Sequence, residues 1–161
     1  METLIVRYSL NGNTEYAVKR IADALRLDTL RVVPKKAYPD KGFKKFLVGG
    51  GDVVTKKRPE LEPYSVDLAK YERVVFASPV WASSYSPPIG TFIEENLGAL
   101  GEKRFACVFC SAGGGTEKPI KKLKEALGTG SFDAVLTLVD PKTRPSDENE
   151  ALIDAFIKGI S

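Results

Sequence analysis

Five short apolar runs divide the chain, and four of them are followed by stretches whose apolar residues recur at helical spacing. The runs are Thr3 to Tyr8, Thr29 to Val33, Arg73 to Ala77, Arg104 to Cys110 and Ala134 to Val139. None shows the clean alternation of a half-buried strand, which is the pattern of strands covered on both faces. Ala17, Val18, Ile21, Ala22 and Leu25 place an apolar stripe on a helix over Thr14–Leu25. A second helix covers Ile89 to Leu97, with Pro87 or Pro88 in its first turn. A third runs from Glu117 to Leu127, with Thr116 as its expected N-cap and Ile120, Leu123 and Leu127 inward. Ser146 caps the last, whose stripe is Leu152, Ile153, Phe156, Ile157 and Ile160. Between the second and third runs, Phe43, Phe46 and Leu47 mark a further short helix, broken by Gly49-Gly50-Gly51.

Strand and helix therefore alternate along the chain, and right-handed crossovers turn that alternation into a doubly wound parallel sheet. We expect five strands in the order 2-1-3-4-5, with helices on both faces and residues 1–161 forming one domain. In this topology the loops after strands one, three and four meet at one edge of the sheet, where such folds bind ligands. Those loops are Ser9 to Thr14, Ser78 to Ser86 and Ser111 to Thr116.

Composition narrows the chemistry those loops can perform. The 161 residues contain no histidine, which removes Ser-His and Cys-His nucleophile pairs and imidazole metal sites. Cys107 and Cys110 are the only cysteines; three apart on a strand, they point to opposite faces and read as buried structural thiols. No catalytic side chain and no metal site is expected, so reactivity must come from a cofactor. No run of about 18 apolar residues predicts a membrane span. The first strand begins at once, without a signal sequence, and the expected location is cytoplasmic. Between Arg31 and Arg58 nine basic residues stand against two acidic ones, a net of +7 that leaves the rest of the chain at −4 within a total of +3. This is a solvated face or a docking surface for an acidic partner. Without interleaved aromatics it does not argue for nucleic acid.

The hexapeptide Ser9-Leu10-Asn11-Gly12-Asn13-Thr14 lies between the first strand and the first helix. Helix-start amides, Gly12 at the turn and four short polar side chains make a cradle for phosphate; the alternative is a polar loop that only caps the helix. The spacing fits neither the nucleotide-triphosphate loop nor the dinucleotide fingerprint. Trp81, the single tryptophan, offers a large face for stacking or seals the sheet edge. Gly113, Gly114 and Gly115 let backbone approach a ring edge, or form a flexible turn. A phosphate joined to a flat heteroaromatic ring would satisfy all three loops together.

Three motifs in this order, S-L-N-G-N-T, S-P-V-W-A-S-S-Y-S-P-P and C-S-A-G-G-G-T, resemble the flavodoxin family over almost the whole chain. Asn11 stands where the family usually has Thr. The short step from strand five to its helix is similar to the short-chain type. The resemblance implies a non-covalent FMN, its phosphate held by Ser9, Leu10, Asn11, Gly12, Asn13 and Thr14. Pro79, Val80, Trp81, Ala82, Ser83 and Tyr85 would then line the flavin ring, and Ser111, Ala112, Gly113, Gly114 and Gly115 its pyrimidine edge. Flavodoxins are generally acidic, whereas this chain is slightly basic. They often carry an aromatic in the loop after strand four and a reorienting glycine in the loop after strand three; here the first is missing and Ala82-Ser83 replace the second. The implied function is electron transfer between redox partner proteins, docking acidic faces near Lys35–Arg58, by a monomer or weak homodimer. The alternatives are an FMN-dependent NAD(P)H oxidoreductase acting on quinones, nitro compounds or flavins, and an interaction module without cofactor.

Overall fold

The computed structural model describes residues 2–39, 51 and 57–161. Five strands form one parallel sheet: β1 (Thr3–Arg7), β2 (Asp28–Arg31), β3 (Arg73–Pro79), β4 (Arg104–Ser111) and β5 (Val135–Val139). Their order is β2-β1-β3-β4-β5, as the alternation of elements predicts. The register aligns Leu4 with Val74 and Phe76 with Cys107.

Side-chain alternation along each strand sorts the apolar residues onto two separate cores. Leu4, Val6, Phe76, Phe105, Cys107 and Phe109 face one side, under α2 (Pro87–Glu95) and α4 (Glu117–Leu127). Ile5, Val75, Ala77, Val108 and Cys110 face the other, under α1 (Asn13–Leu25) and α5 (Asp147–Ile160). Burying each large side chain such as Phe76, Phe92 or Phe109 contributes about 1.5–3 kcal/mol. The two thiols do enter opposite cores, both free. Burial pushes each up to about 12, which keeps them protonated and unreactive.

Local differences from the sequence expectations have physical causes. The helix expected over Ile89 to Leu97 begins at Pro87 and ends at Glu95, and a separate turn, α3 (Leu97–Leu100), follows. Asn96 makes the break: its side-chain amide donates to Phe92 O at 2.8 Å and to the Tyr64 hydroxyl at 2.9 Å. Thr116 does not cap α4 with its side chain, because its backbone lacks the extended cap conformation. Ser146 does cap α5, accepting from the Asn149 amide at 3.1 Å. Leu152 is 40% exposed; Ile153, Phe156 and Ile160 make a narrower buried stripe, with Ile157 at its margin.

β2 stops at Arg31, yet the chain stays on the sheet edge. Val32 donates to Arg7 O at 2.9 Å, and residues 59–62 return beside 33–35 through Lys35 N to Glu60 O and Glu62 N to Val33 O. The helix expected at Phe43, Phe46 and Leu47, and the basic residues Lys41, Lys44, Lys45 and Lys56, lie outside the described residues.

Candidate functional site

The carboxyl ends of β1, β3, β4 and β5 share one edge, and their following loops enclose a cavity of about 330 Å³. Asn11 and Asn13 line it from the first loop, Pro79 to Ala82 from the second, Cys110 to Ala112 from the third and Asp140 from the fourth.

The first loop is shaped by its own side chains. Gly12 takes φ +93°, a conformation open to glycine but strained for other residues, and starts α1. Ser9 Oγ accepts from Gly12 N at 3.1 Å, and Asn11 Oδ1 accepts from Asn13 N at 3.3 Å. The first bond of the helix is Tyr16 N to Gly12 O, so the amides before Tyr16 have no acceptor inside the helix. The Thr14 hydroxyl is buried, 1% of the residue being exposed, and lies against the weakly hydrogen-bonding Cys110 thiol with no oxygen or nitrogen partner among the described residues. With Gly12 N and Asn13 N already paired, the free amides of Thr14 and Glu15 beside this buried hydroxyl leave room for an external acceptor.

Asn13 has a task the sequence did not announce. Its side-chain oxygen accepts from the backbone amides of Lys142 at 2.9 Å and Thr143 at 3.2 Å. Its nitrogen donates to Asp140 Oδ1 and Thr143 Oγ1, both at 3.4 Å. The loop after β5 is thereby clamped to the cradle. Arg144 extends the clamp to the third loop, donating to Asp140 Oδ2 and to Ala112 O, each at 2.7 Å. Asp140 N donates to Ser111 O at 3.0 Å.

In the second loop, Ser78 fixes both ends: its hydroxyl accepts from Ser86 N at 2.8 Å and donates to Pro79 O at 2.8 Å. Trp81 and Ser84 exchange backbone bonds of 3.0 and 2.9 Å around Ala82 (φ +45°) and Ser83 (φ +58°). Positive φ at both central residues is the type I′ turn, which favours Asn-Gly; alanine there costs about 1–2 kcal/mol. Strain of this kind collects at functional sites. The turn aims Trp81 so that its ring meets Tyr8 edge-on at 5.5 Å and Tyr38 at 5.1 Å between centroids. Burial raises the Tyr8 phenol to about 12, and Arg31 pulls it slightly the other way.

In the third loop, Ser111 Oγ accepts from Gly113 N at 3.4 Å, with Gly113 at φ +126°. Ala112, Gly113, Gly114 and Gly115 are exposed. The structure thus brings Asn11, Asn13, Pro79 to Ala82 and Ser111-Ala112 to one cavity, whereas Gly12, Thr14, Ser83 and Gly113 to Gly115 do not line it and Ser9 and Leu10 line a separate hollow beside Tyr8 and Tyr38. Tyr85 is elsewhere: it is buried, with the Arg58 guanidinium 5.9 Å from its ring centre.

Tyr8, Tyr38, Asp140, Lys142, Thr143 and Arg144 escaped the sequence reading. For the last four a signal existed. Asp140-Pro141-Lys142-Thr143-Arg144 also follows a strand at the same sheet edge.

No protein-family model matches the chain. Solved structures do. An FMN-complexed flavoprotein from Lactobacillus acidophilus NCFM superposes with a TM-score of 0.72 at 19% identity, covering 96% of this chain and 97% of that one. A candidate flavoprotein from Bacteroides eggerthii DSM 20697 gives 0.74 at 20% identity, with the same coverages. The two-electron reduced flavodoxin of Megasphaera elsdenii gives 0.59 at 17% identity, covering 97% and 98%. The fold is flavodoxin-like.

Proposed function

We propose that this chain, built on a flavodoxin-like fold, binds FMN non-covalently and passes electrons between redox partners. The observation that carries the reading is one cavity in which Asn11 and Asn13, at the start of α1, face an aromatic wall at Trp81. A phosphate ester on a flat ring matches both halves, and the Lactobacillus acidophilus relative is an FMN complex.

When bound, FMN supplies the electron-transfer chemistry; the protein supplies position and surroundings. The free amides at the start of α1 and the Ser9 and Thr14 hydroxyls would hold the phosphate. Trp81, its orientation fixed by Tyr8 and Tyr38, would hold the ring by stacking. Pro79, Val80 and Cys110 exclude water from the apolar side of the cavity. Backbone groups of the Ser111 to Gly115 loop, of which Ser111 and Ala112 line the cavity, would meet the polar ring edge. Among the described residues Asp140 is the one carboxylate lining the cavity, and it is held by Arg144 and Asn13 rather than poised for proton transfer. Partners with an acidic face would dock near Lys35–Arg58, where Lys36 and, just before it in sequence, Arg31 are exposed while Lys35 and Arg58 pair with Glu60 and Glu94.

One feature favours an NAD(P)H-dependent reductase instead. Ser111 to Thr116 contributes no aromatic side chain and Ala112 to Gly115 are exposed, so a substrate could reach the ring from that side. Anaerobic titration of the FMN-loaded protein with a chemical reductant, followed by addition of NADH or NADPH with a quinone, separates the two. The carrier reading predicts two resolved one-electron steps and negligible pyridine-nucleotide oxidation. A single two-electron step with rapid turnover of NADH or NADPH would replace it with the reductase.

A further inference from the structure

Three charged side chains surround the α1 cradle, and two of them are neutralised. Glu15 is paired with Arg7 at 2.6 Å, and Asp140 with Arg144 at 2.7 Å. The Lys142 ammonium has no ion pair or hydrogen bond with any described residue. Its backbone amide is fixed to Asn13, and from there the side chain lies back across Gly12. A Cβ on Gly12 would stand 2.8 Å from Lys142 Nζ and 3.2 Å from its Cδ. A cation unpaired among the described residues thus rests on the turn that leads into the free Thr14 and Glu15 amides and the buried Thr14 hydroxyl.

We propose that Lys142 reads the charge of the phosphate and is the residue that makes the site prefer a phosphorylated flavin to an unphosphorylated one. The inference rests on the flavin reading above and adds to it the source of discrimination. Amides and hydroxyls alone hold an oxyanion by partial charges, whereas an ammonium against the same turn adds a full one. The side chain is exposed, so the attraction is open to screening by salt. Because Asn13 fixes the Lys142 backbone, only the side chain's own torsions have to be ordered on pairing.

The test compares FMN and riboflavin affinities, by quenching of flavin fluorescence, for the wild-type protein, Lys142→Gln and Lys142→Arg at low and high salt. At low salt Lys142→Gln should weaken FMN roughly tenfold and leave riboflavin unchanged. High salt should close most of that gap, and Lys142→Arg should restore most of the affinity. An unaltered riboflavin affinity also shows that the variant is folded. FMN binding that is indifferent to Lys142, or equal losses for both flavins, overturns this inference while the flavin reading stands. Failure of the wild-type protein to bind FMN overturns both.

Discussion

Asn13→Ala lowers the stability of the protein by about 2–3 kcal/mol, a fall in melting temperature of roughly 5–10 °C. The change strips the acceptor from two backbone amides, Lys142 N and Thr143 N, and the donor from Asp140 and Thr143 Oγ1. These partners are 127 to 130 residues away in sequence, so one buried side chain holds the first and last loops of the site together. Asn13 is 3% exposed, and methyl-sized space there cannot admit enough water to replace its bonds. Asn13→Asp should recover only part of the loss. It keeps an acceptor for the two amides but sets a carboxylate against Asp140. Thermal melts of the cofactor-free protein measure both variants, and an Asn13→Ala melt equal to wild type would remove the clamp from the account.

Trp81→Ala should weaken FMN binding by roughly tenfold to a hundredfold, the range expected when a stacked ring worth about 1–3 kcal/mol is deleted. The backbone of the turn does not depend on the indole, because Trp81 and Ser84 are joined through main-chain atoms. The variant therefore keeps the cradle and the turn, and loses the wall between them. Riboflavin should lose as much affinity as FMN, since the defect lies at the ring. Trp81→Phe should retain part of the affinity. Fluorescence titration decides it: unchanged affinity in Trp81→Ala would take the tryptophan out of the site.

What the sequence revealed and what it hid divide along local and distant interactions. Strand order and the meeting of three loops follow from alternation, apolar runs and the handedness of crossovers, all of which act over short segments or by general rule. The opposite facing of Cys107 and Cys110 followed from strand geometry alone. Asn13, by contrast, reads in sequence as one more polar residue at a helix start. Its actual partners are in the Asp140–Arg144 loop, and no local pattern encodes a hydrogen bond across that distance. Tyr8 and Tyr38 were hidden for a related reason: one ends a strand, the other sits in a segment without periodicity, and only packing places both edge-on to Trp81. Tyr85 shows the reverse. Its position in an aromatic-bearing loop suggested the ring site, but the turn at Ala82-Ser83 directs Trp81 to the cavity while Tyr85 enters the core beside Arg58. Asp140-Pro141-Lys142-Thr143-Arg144 was within reach of the topological argument, which puts every loop after a strand on the same edge.

The most direct test of the central claim is equilibrium titration of the cofactor-free protein with FMN, followed by flavin fluorescence and the visible spectrum, with riboflavin in parallel. The account predicts saturable one-to-one binding, quenched fluorescence, a perturbed flavin spectrum and clearly tighter binding of FMN than of riboflavin. Fluorescence and spectrum identical to free FMN throughout the titration would leave the flavodoxin-like fold intact and contradict the function proposed for it.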